Sequence, residues 1–270
     1  MVQLLRDAGI EVRAFTLAAG RLFFKFRNAI FPALFLLVIG TIRPARLFPS
    51  PVMDRLAVVF GAGLALLGEL IRLTTIGFDY IDRGGKAGRP AASRLVTGGI
   101  YAHSRNPMYL GNILIAAGFT VASNSPTAYV TILPFFIFVY HAITCAEEEF
   151  LRKEFGPEYE AYSARVPRIF PDLRGLRDTL SRGRYNWRKP LRQDLSTMTW
   201  IALMLAAVPL WRAYCLEGNG GAWRKAPGTL RLEAVILGVY GLLVCCKKRK
   251  LLFYSAAEKI KGTDQREKTA

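Results

Sequence analysis

Three consecutive carboxylates, Glu147, Glu148 and Glu149, stand at the end of a long apolar run. The carboxyl end of a helix carries partial negative charge, so acidic side chains there are unfavourable by a few tenths to about 1 kcal/mol each. A cation must compensate them, either an arginine of the protein such as Arg105 or a positively charged ligand. Without such a cation the glutamates would be a solvated helix face. They therefore mark a candidate site for a cationic molecule.

A second polar stretch lies upstream of this run, around an Arg-Asn-Pro sequence. Pro107 suits the first turn of a helix because its missing N–H is not needed there. Arg105 and Asn106 precede it, and Tyr101 and Tyr109 offer rings with a polar hydroxyl, as at a membrane interface. Each feature alone is typical of a helix start or an interface anchor. The two stretches together indicate a binding site only where the fold brings them together.

The elements that would position these residues are hydrophobic helices. The chain has 270 residues, of which 52% are hydrophobic, and this excludes a disordered protein. Its apolar residues fall in six segments, at residues 22–42, 56–78, 108–122, 126–146, 198–216 and 230–246. A bilayer core of roughly 30 Å needs about 20 helical residues. We therefore predict an all-α, polytopic transmembrane protein with about six spans.

The positive charges of the chain indicate its orientation in the membrane. The net charge is +17, and with a cytoplasmic N-terminus 29 of the 37 Lys and Arg residues fall in cytoplasmic segments. This asymmetry follows the positive-inside rule and places both termini in the cytoplasm. It also accounts for the basic composition without nucleic acid, so we expect the membrane as partner and no nucleic acid. The oligomeric state is not indicated.

The third and fourth apolar segments are joined by a short, charge-free sequence at residues 123–126. Serine, asparagine and proline are typical of tight turns, so these two segments are predicted to form a helical hairpin. The cytoplasmic ends of the hairpin must then lie close together. One end carries the Arg-Asn-Pro stretch and the other carries the glutamates.

The chain divides into three predicted regions. Residues 1–55 hold an interfacial helix and the first span, residues 56–171 hold spans two to four with both polar stretches, and residues 172–270 hold a basic connector, two further spans and a polar tail. In the second apolar segment, Ala57, Gly61 and Ala65 recur at four-residue spacing. Small residues at this spacing predict close approach of another helix.

Over residues 60–171 the sequence resembles the isoprenylcysteine carboxyl methyltransferase and phospholipid methyltransferase superfamily of integral membrane enzymes. The resemblance rests on two groups of residues at fixed spacings. They are Leu95-Val96, Gly98, Tyr101, Arg105-Asn106-Pro107, Tyr109 and Gly111, then Glu147-Glu148, Leu151, Phe155-Gly156, Glu158-Tyr159, Tyr162, Val166-Pro167 and Pro171.

The resemblance implies S-adenosyl-L-methionine as methyl donor, bound at the cytoplasmic end of the hairpin beneath the capping segment that follows it. Carried over by position, the cofactor-binding residues are Ser93, Arg94, Leu95, Val96, Tyr101, Asn106, Pro107, Met108, Tyr109, Glu147 and Glu148. Of these, Glu147 would meet a polar or cationic part of the cofactor. A sulfonium methyl is already activated, so we assign no catalytic residue and expect no metal.

The acceptor is expected to be a lipophilic molecule reached from the bilayer. Carboxyl-methylating relatives have an arginine where this chain has Ile143, which argues against a carboxylate acceptor unless Arg72 or Arg105 substitutes. Many relatives have histidine where this chain has Asn106, which cannot titrate. Two alternatives stay open: a membrane reductase of the sterol-reductase type that uses NADPH, and a non-catalytic membrane scaffold.

Overall fold

The computed structural model describes residues 11–26, 40–47, 50–78 and 94–249, and every regular element in these ranges is helical. Helix α1 covers residues 11–26. The others are α2 (Pro51–Phe78), a short 3₁₀ helix (Gly99–Ala102), α3 (Pro107–Ser123), α4 (Pro126–Phe155), α5 (Pro157–Arg165), α6 (Leu176–Arg182), α7 (Arg188–Gln193) and α8 (Leu195–Lys248). The predicted all-helical class is therefore confirmed for this part of the chain.

Three of the described helices, α2, α4 and α8, are long and apolar enough to cross a membrane, and α3 is a shorter apolar helix. The first predicted span, residues 22–42, lies largely outside the described residues. The number of six spans thus stays a prediction. The fifth and sixth predicted segments both fall within α8.

Helix α8 is not one straight rod. At Gly218 the backbone takes φ 71° and ψ −160°, a conformation that glycine adopts most readily. A straight helix of 54 residues would be about 80 Å long, yet Lys247 Nζ donates to the Arg192 carbonyl at 2.7 Å. The two ends of α8 therefore lie side by side, and the chain reverses at Gly218.

Helix α3 ends at Ser123 and α4 begins at Pro126, so a short turn joins these two apolar helices. Asn124 takes the left-handed conformation, with φ 49° and ψ 33°. Its side chain is fully buried, and Nδ2 donates to Asp54 Oδ1 at 2.9 Å. The turn is thus fastened to the first turn of α2.

Helices α2 and α3 approach so closely that only small residues fit between them. A Cβ placed on Gly118 would lie 2.5 Å from the Gly61 carbonyl oxygen and 2.5 Å from the Ala65 backbone nitrogen. Seven residues further along α2, Gly68 faces Gly111 of α3 in the same way. The predicted role of Gly61 and Ala65 in close helix approach is confirmed.

Helix α1 packs on α4 through aromatic and small residues. A core cluster is formed by Phe24 with three residues of α4, Val139, Tyr140 and Ile143. Closer to the start of α1, a Cβ on Gly20 would meet the Ala142 carbonyl. The predicted interfacial helix overlaps the beginning of α1, but residues 1–10 lie outside the described ranges.

Two compact units can be distinguished: residues 1–75 with 79–183, and residues 76–78 with 184–270. The first unit contains both polar stretches singled out in the sequence. The second unit contains α7 and α8. The sequence-based division at residues 55 and 171 stays a prediction.

We expect Gly118→Ala to destabilise the protein by about 1–3 kcal/mol, because the added methyl group must push two backbones apart. The matched control is Gly63→Ala in α2, where a Cβ would meet nothing within 4 Å. Since alanine favours a helix over glycine, the control should be neutral or more stable by up to about 1 kcal/mol. Thermal unfolding in detergent measures both variants. Equal stability of the two would contradict the close contact.

Candidate functional site

The two polar stretches meet at the start of α3 and in the last third of α4. Helix α4 continues to Phe155, so the prediction that the three glutamates end the helix is wrong, and they lie before the last turn, where the helix dipole acts. Arg105 Nη1, just before α3, lies 3.1 Å from Glu148 Oε1 on α4. One turn into α3, the ring of Tyr109 lies 5.5 Å between centroids from the ring of Tyr140, which stands about two turns before Glu148 in α4. Residues separated by about thirty to forty positions in the sequence thus share one site.

The carboxylate of Glu148 is held by two arginines. Arg168 donates to it from Nε at 3.0 Å and from Nη2 at 2.5 Å, and Arg105 supplies the second guanidinium. Glu148 is only 6% exposed. The hydrogen bonds to Glu148 raise the pKa of Arg168, so this guanidinium stays charged. Sequence analysis did not single out Arg168, whose only signal was its place in the segment after α5.

Protein cations lie beside Glu148 and Glu149. Glu148 has Arg105 and Arg168, and Glu149 pairs with Lys153 at 3.0 Å. Glu149 also lies 3.4 Å from Arg13 on α1. Glu147 is partly buried on the same turn of α4.

An irregular segment, residues 166–172, which we call the strap, runs along the turn at residues 103–106. Four main-chain or side-chain bonds tie it down. They are Arg105 N–H to Pro167 O (2.9 Å), Asn106 Nδ2 to Arg168 O (2.9 Å), Ser104 Oγ to Ile169 O (2.8 Å) and Asp172 N–H to His103 O (2.9 Å). The strap therefore covers the Arg-Asn-Pro stretch from the polar side.

His103 fastens the end of the strap with both of its ring nitrogens. Nδ1 donates to the Asp172 carbonyl at 2.7 Å, so Nε2 accepts from the Thr179 hydroxyl at 2.8 Å on α6. This assignment follows from the carbonyl, which can only accept. Arg174 holds the carboxyl pKa of Asp172 down at about 2. Sequence analysis gave His103 no role, since its partners lie about seventy residues away.

The remaining predicted site residues fall on several elements. Ser93 lies outside the described residues, Arg94 is exposed, and Leu95 and Val96 are partly buried in extended backbone. Tyr101 lies in the 3₁₀ helix, where its carbonyl accepts from the Tyr162 hydroxyl at 2.8 Å. Asn106, Pro107, Met108 and Tyr109 form the buried or partly buried start of α3.

Two buried polar atoms in this part of the described structure have no hydrogen-bond partner, namely Arg105 Nε and Thr144 Oγ1. Thr144 is fully buried one helical turn from both Tyr140 and Glu148, on the face of α4 that contacts the start of α3. Buried polar atoms are normally bonded, so these two atoms keep unused hydrogen-bonding capacity at the place where the two polar stretches meet.

The arginines considered as substitutes at Ile143 already hold carboxylates. Arg72 lies 3.2 Å from Glu69 and also donates to Asn112, while Arg105 holds Glu148. Ile143 itself is buried in the apolar core. Both Arg72 and Arg105 therefore already pair with a carboxylate of the protein, so neither is available to bind a substrate carboxylate near Ile143.

The phospholipid methyltransferase family matches residues 56–158, which contain α2, α3, α4 and both polar stretches. No solved structure matches the chain. The matched region thus contains both polar stretches and ends before the strap.

Three curated proteins are similar to part of the chain. Protein-S-isoprenylcysteine O-methyltransferase B of Arabidopsis thaliana is 30% identical over 120 residues, which are 42% of this chain and 58% of that protein. The cobalt-zinc-cadmium resistance protein CzcN of Cupriavidus metallidurans is 33% identical over 93 residues, 34% of this chain and 40% of that protein. The nickel-cobalt-cadmium resistance protein NccN of Alcaligenes xylosoxydans xylosoxydans is 32% identical over 82 residues, 30% and 38% of the two chains.

Part of the chain is thus similar both to the phospholipid methyltransferase family and to an isoprenylcysteine methyltransferase. The similarity spans between 38% and 58% of the length of the curated relatives. Two of those relatives are named for metal resistance. No cluster of three or more His, Cys, Asp or Glu able to hold a metal ion occurs among the described residues.

We expect Ser104→Ala to destabilise the protein by about 1–3 kcal/mol, because its buried hydroxyl donates to the strap and accepts from the Asn106 N–H. Ser163→Ala is the matched control, since its hydroxyl bonds only to the Glu160 carbonyl of its own helix, at the surface. The control should stay within about 0.5 kcal/mol of the parent. Chemical denaturation in detergent checks the pair, and a neutral Ser104 variant would refute the tight docking of the strap.

Proposed function

We propose that the protein transfers a methyl group from S-adenosyl-L-methionine to a lipophilic acceptor at the cytoplasmic face of a membrane. The observation that carries the proposal is the coincidence of the family match with the place where the two polar stretches meet. The cytoplasmic orientation is supported by the distribution of Lys and Arg, which also favours cytoplasmic termini.

The site offers the types of side chain that S-adenosyl-L-methionine needs, namely a carboxylate for its cationic groups and an aromatic ring for its adenine. Glu147 offers a partly buried carboxylate for a cationic or polar group, and Tyr109 offers an aromatic ring beside Tyr140. Arg105 Nε and Thr144 Oγ1 are buried polar atoms that still lack partners. An anionic group close to a sulfonium or ammonium in a water-poor site is worth more than in water.

The chain's own residues would bind and orient the reactants. Leu95 and Val96 would contribute backbone contacts, Tyr101 and the start of α3 would line the adenosine, and Glu147 would orient the cationic end. The cofactor supplies an activated methyl group when bound. Holding the acceptor in line with that methyl group can supply most of the rate enhancement, so we propose no obligatory base.

The contacts bear on the class of acceptor. Ile143 is apolar, and the two arginines that could replace its missing charge already hold Glu69 and Glu148. This supports an acceptor atom other than a carboxylate, such as a lipid amine, a thiol or a hydroxyl. Labelled cofactor added to membranes, followed by separation of lipid and protein products, identifies the class.

Binding of S-adenosylhomocysteine to the purified full chain tests the proposed function directly. We expect saturable binding of S-adenosylhomocysteine and none of NADPH in calorimetric titrations under the same detergent conditions. Binding of NADPH alone would replace the proposal with the membrane reductase. Binding of neither would favour a scaffold that has lost its cofactor.

Glu147→Gln should weaken S-adenosylhomocysteine binding by about tenfold or more, as expected for the loss of a charge-assisted contact. Glu149→Gln, on the same helical turn, is the matched control because its carboxylate is held by Lys153 and Arg13. Its affinity should stay within about twofold of the parent. An unchanged dissociation constant for the Glu147 variant would remove this residue from the site.

A further inference from the structure

We propose that Glu148 is a positioning residue that clamps the strap, residues 166–172, over the turn at residues 103–106, and does not itself contact the cofactor. The proposal rests on the proposed function because the turn and the start of α3 would line the cofactor. It changes the expectation drawn from family resemblance, which placed Glu148 among the cofactor-binding residues.

The first argument is that both oxygens of Glu148 are already in use. Oε1 lies 3.1 Å from Arg105 Nη1 and accepts from Arg168 Nε at 3.0 Å. Oε2 accepts from Arg168 Nη2 at 2.5 Å. The residue is nearly inaccessible to solvent, so a further cation would have to displace one of the two guanidiniums.

The second argument is that these contacts join three separate elements. Glu148 belongs to α4, Arg105 to the turn, and Arg168 to the strap. The carbonyl of Arg168 also accepts from Asn106 Nδ2 at 2.9 Å. Arg168 is thus held by its side chain on α4 and by its main chain on the turn. A strap that moves away from α4 must take the Asn106 amide with it.

The third argument is the charge balance around the clamp. Two guanidiniums share one carboxylate, and the neighbouring groups are the Tyr159 hydroxyl, 3.4 Å from Arg105 Nη1, and the Cys145 sulfur, 3.5 Å from Arg168 Nη2. Burial, and next to it Glu148, raises the pKa of Tyr159, so its hydroxyl stays neutral. Arg152 lies over the Tyr159 ring at 5.9 Å. Removing the Glu148 charge would therefore leave like charges facing each other across the strap and the turn.

The clamp makes a prediction that a direct cofactor contact does not make. If Glu148 holds the strap through Arg168, neutralising either residue breaks the same connection between α4 and the strap, and the double variant loses no more than each single one. We expect Glu148→Gln and Arg168→Gln each to raise KM for S-adenosyl-L-methionine about tenfold, with a smaller effect on kcat. The double variant should also show about a tenfold rise rather than a hundredfold one.

Hydrogen exchange measured by mass spectrometry supplies an independent readout. Exchange of the amides of Arg105 and Asp172, which bond across the strap and the turn, should increase at least about tenfold in both single variants. Exchange within α3 beyond its first turn should stay unchanged. Glu148→Asp, which keeps the charge, should restore much of the protection. Glu149→Gln is the matched control and should alter neither KM nor exchange, because Glu149 pairs with Lys153 and Arg13.

Three outcomes would overturn the clamp. They are a roughly hundredfold rise of KM in the double variant, loss of cofactor binding in Glu148→Gln with normal binding in Arg168→Gln, and unchanged exchange of the Arg105 and Asp172 amides in both single variants. Where Glu148→Gln fails to fold, Arg168→Gln still tests the clamp. The Arg168 side chain is 36% exposed, so we expect the protein to fold with glutamine at this position. A parent protein that binds no S-adenosylhomocysteine defeats the proposed function, while increased exchange in the variants would still establish the clamp.

Discussion

A buried carboxylate near the end of an apolar helix is the constraint on which the rest of this site depends. Glu148 is buried, and a buried carboxylate without partners is costly, so the fold places cations beside it. They come from Arg105, just before α3, and from Arg168, beyond α5. One ionic cluster therefore holds both the turn at residues 103–106 and the strap against α4.

The helices that carry this cluster are packed by a different kind of interaction. Burial of apolar surface does little to hold helices together in lipid, so close backbone approach becomes important. The facing pairs Gly61 with Gly118 and Gly68 with Gly111 provide it between α2 and α3. Arg72 continues the same contact by bonding to Asn112 and Glu69. The start of α3, which carries Tyr109, is thereby positioned against both α2 and α4.

The proposed methyl transfer places few demands on acid or base groups. In that proposal the methyl donor is already activated and needs an acceptor held at the right distance and angle. A site assembled from a docked strap, a turn and two helices is suited to that task, because each part limits the movement of the others. Under the proposed function, the individual residues would bind and orient the reactants rather than transfer protons.

Local patterns in the amino-acid sequence were enough to predict the helical class and the turn that ends at Pro126, because run length and turn residues are properties of neighbouring positions. The same patterns placed the glutamates at the end of a helix, whereas α4 continues to Phe155. They did not identify Arg168 or His103. Both residues act through partners twenty to more than seventy positions away, Glu148 and Thr179, and a single sequence carries no record of such distances. Only the folding of the strap back onto the turn decides which arginine meets Glu148, since that choice depends on packing between segments that are remote along the chain.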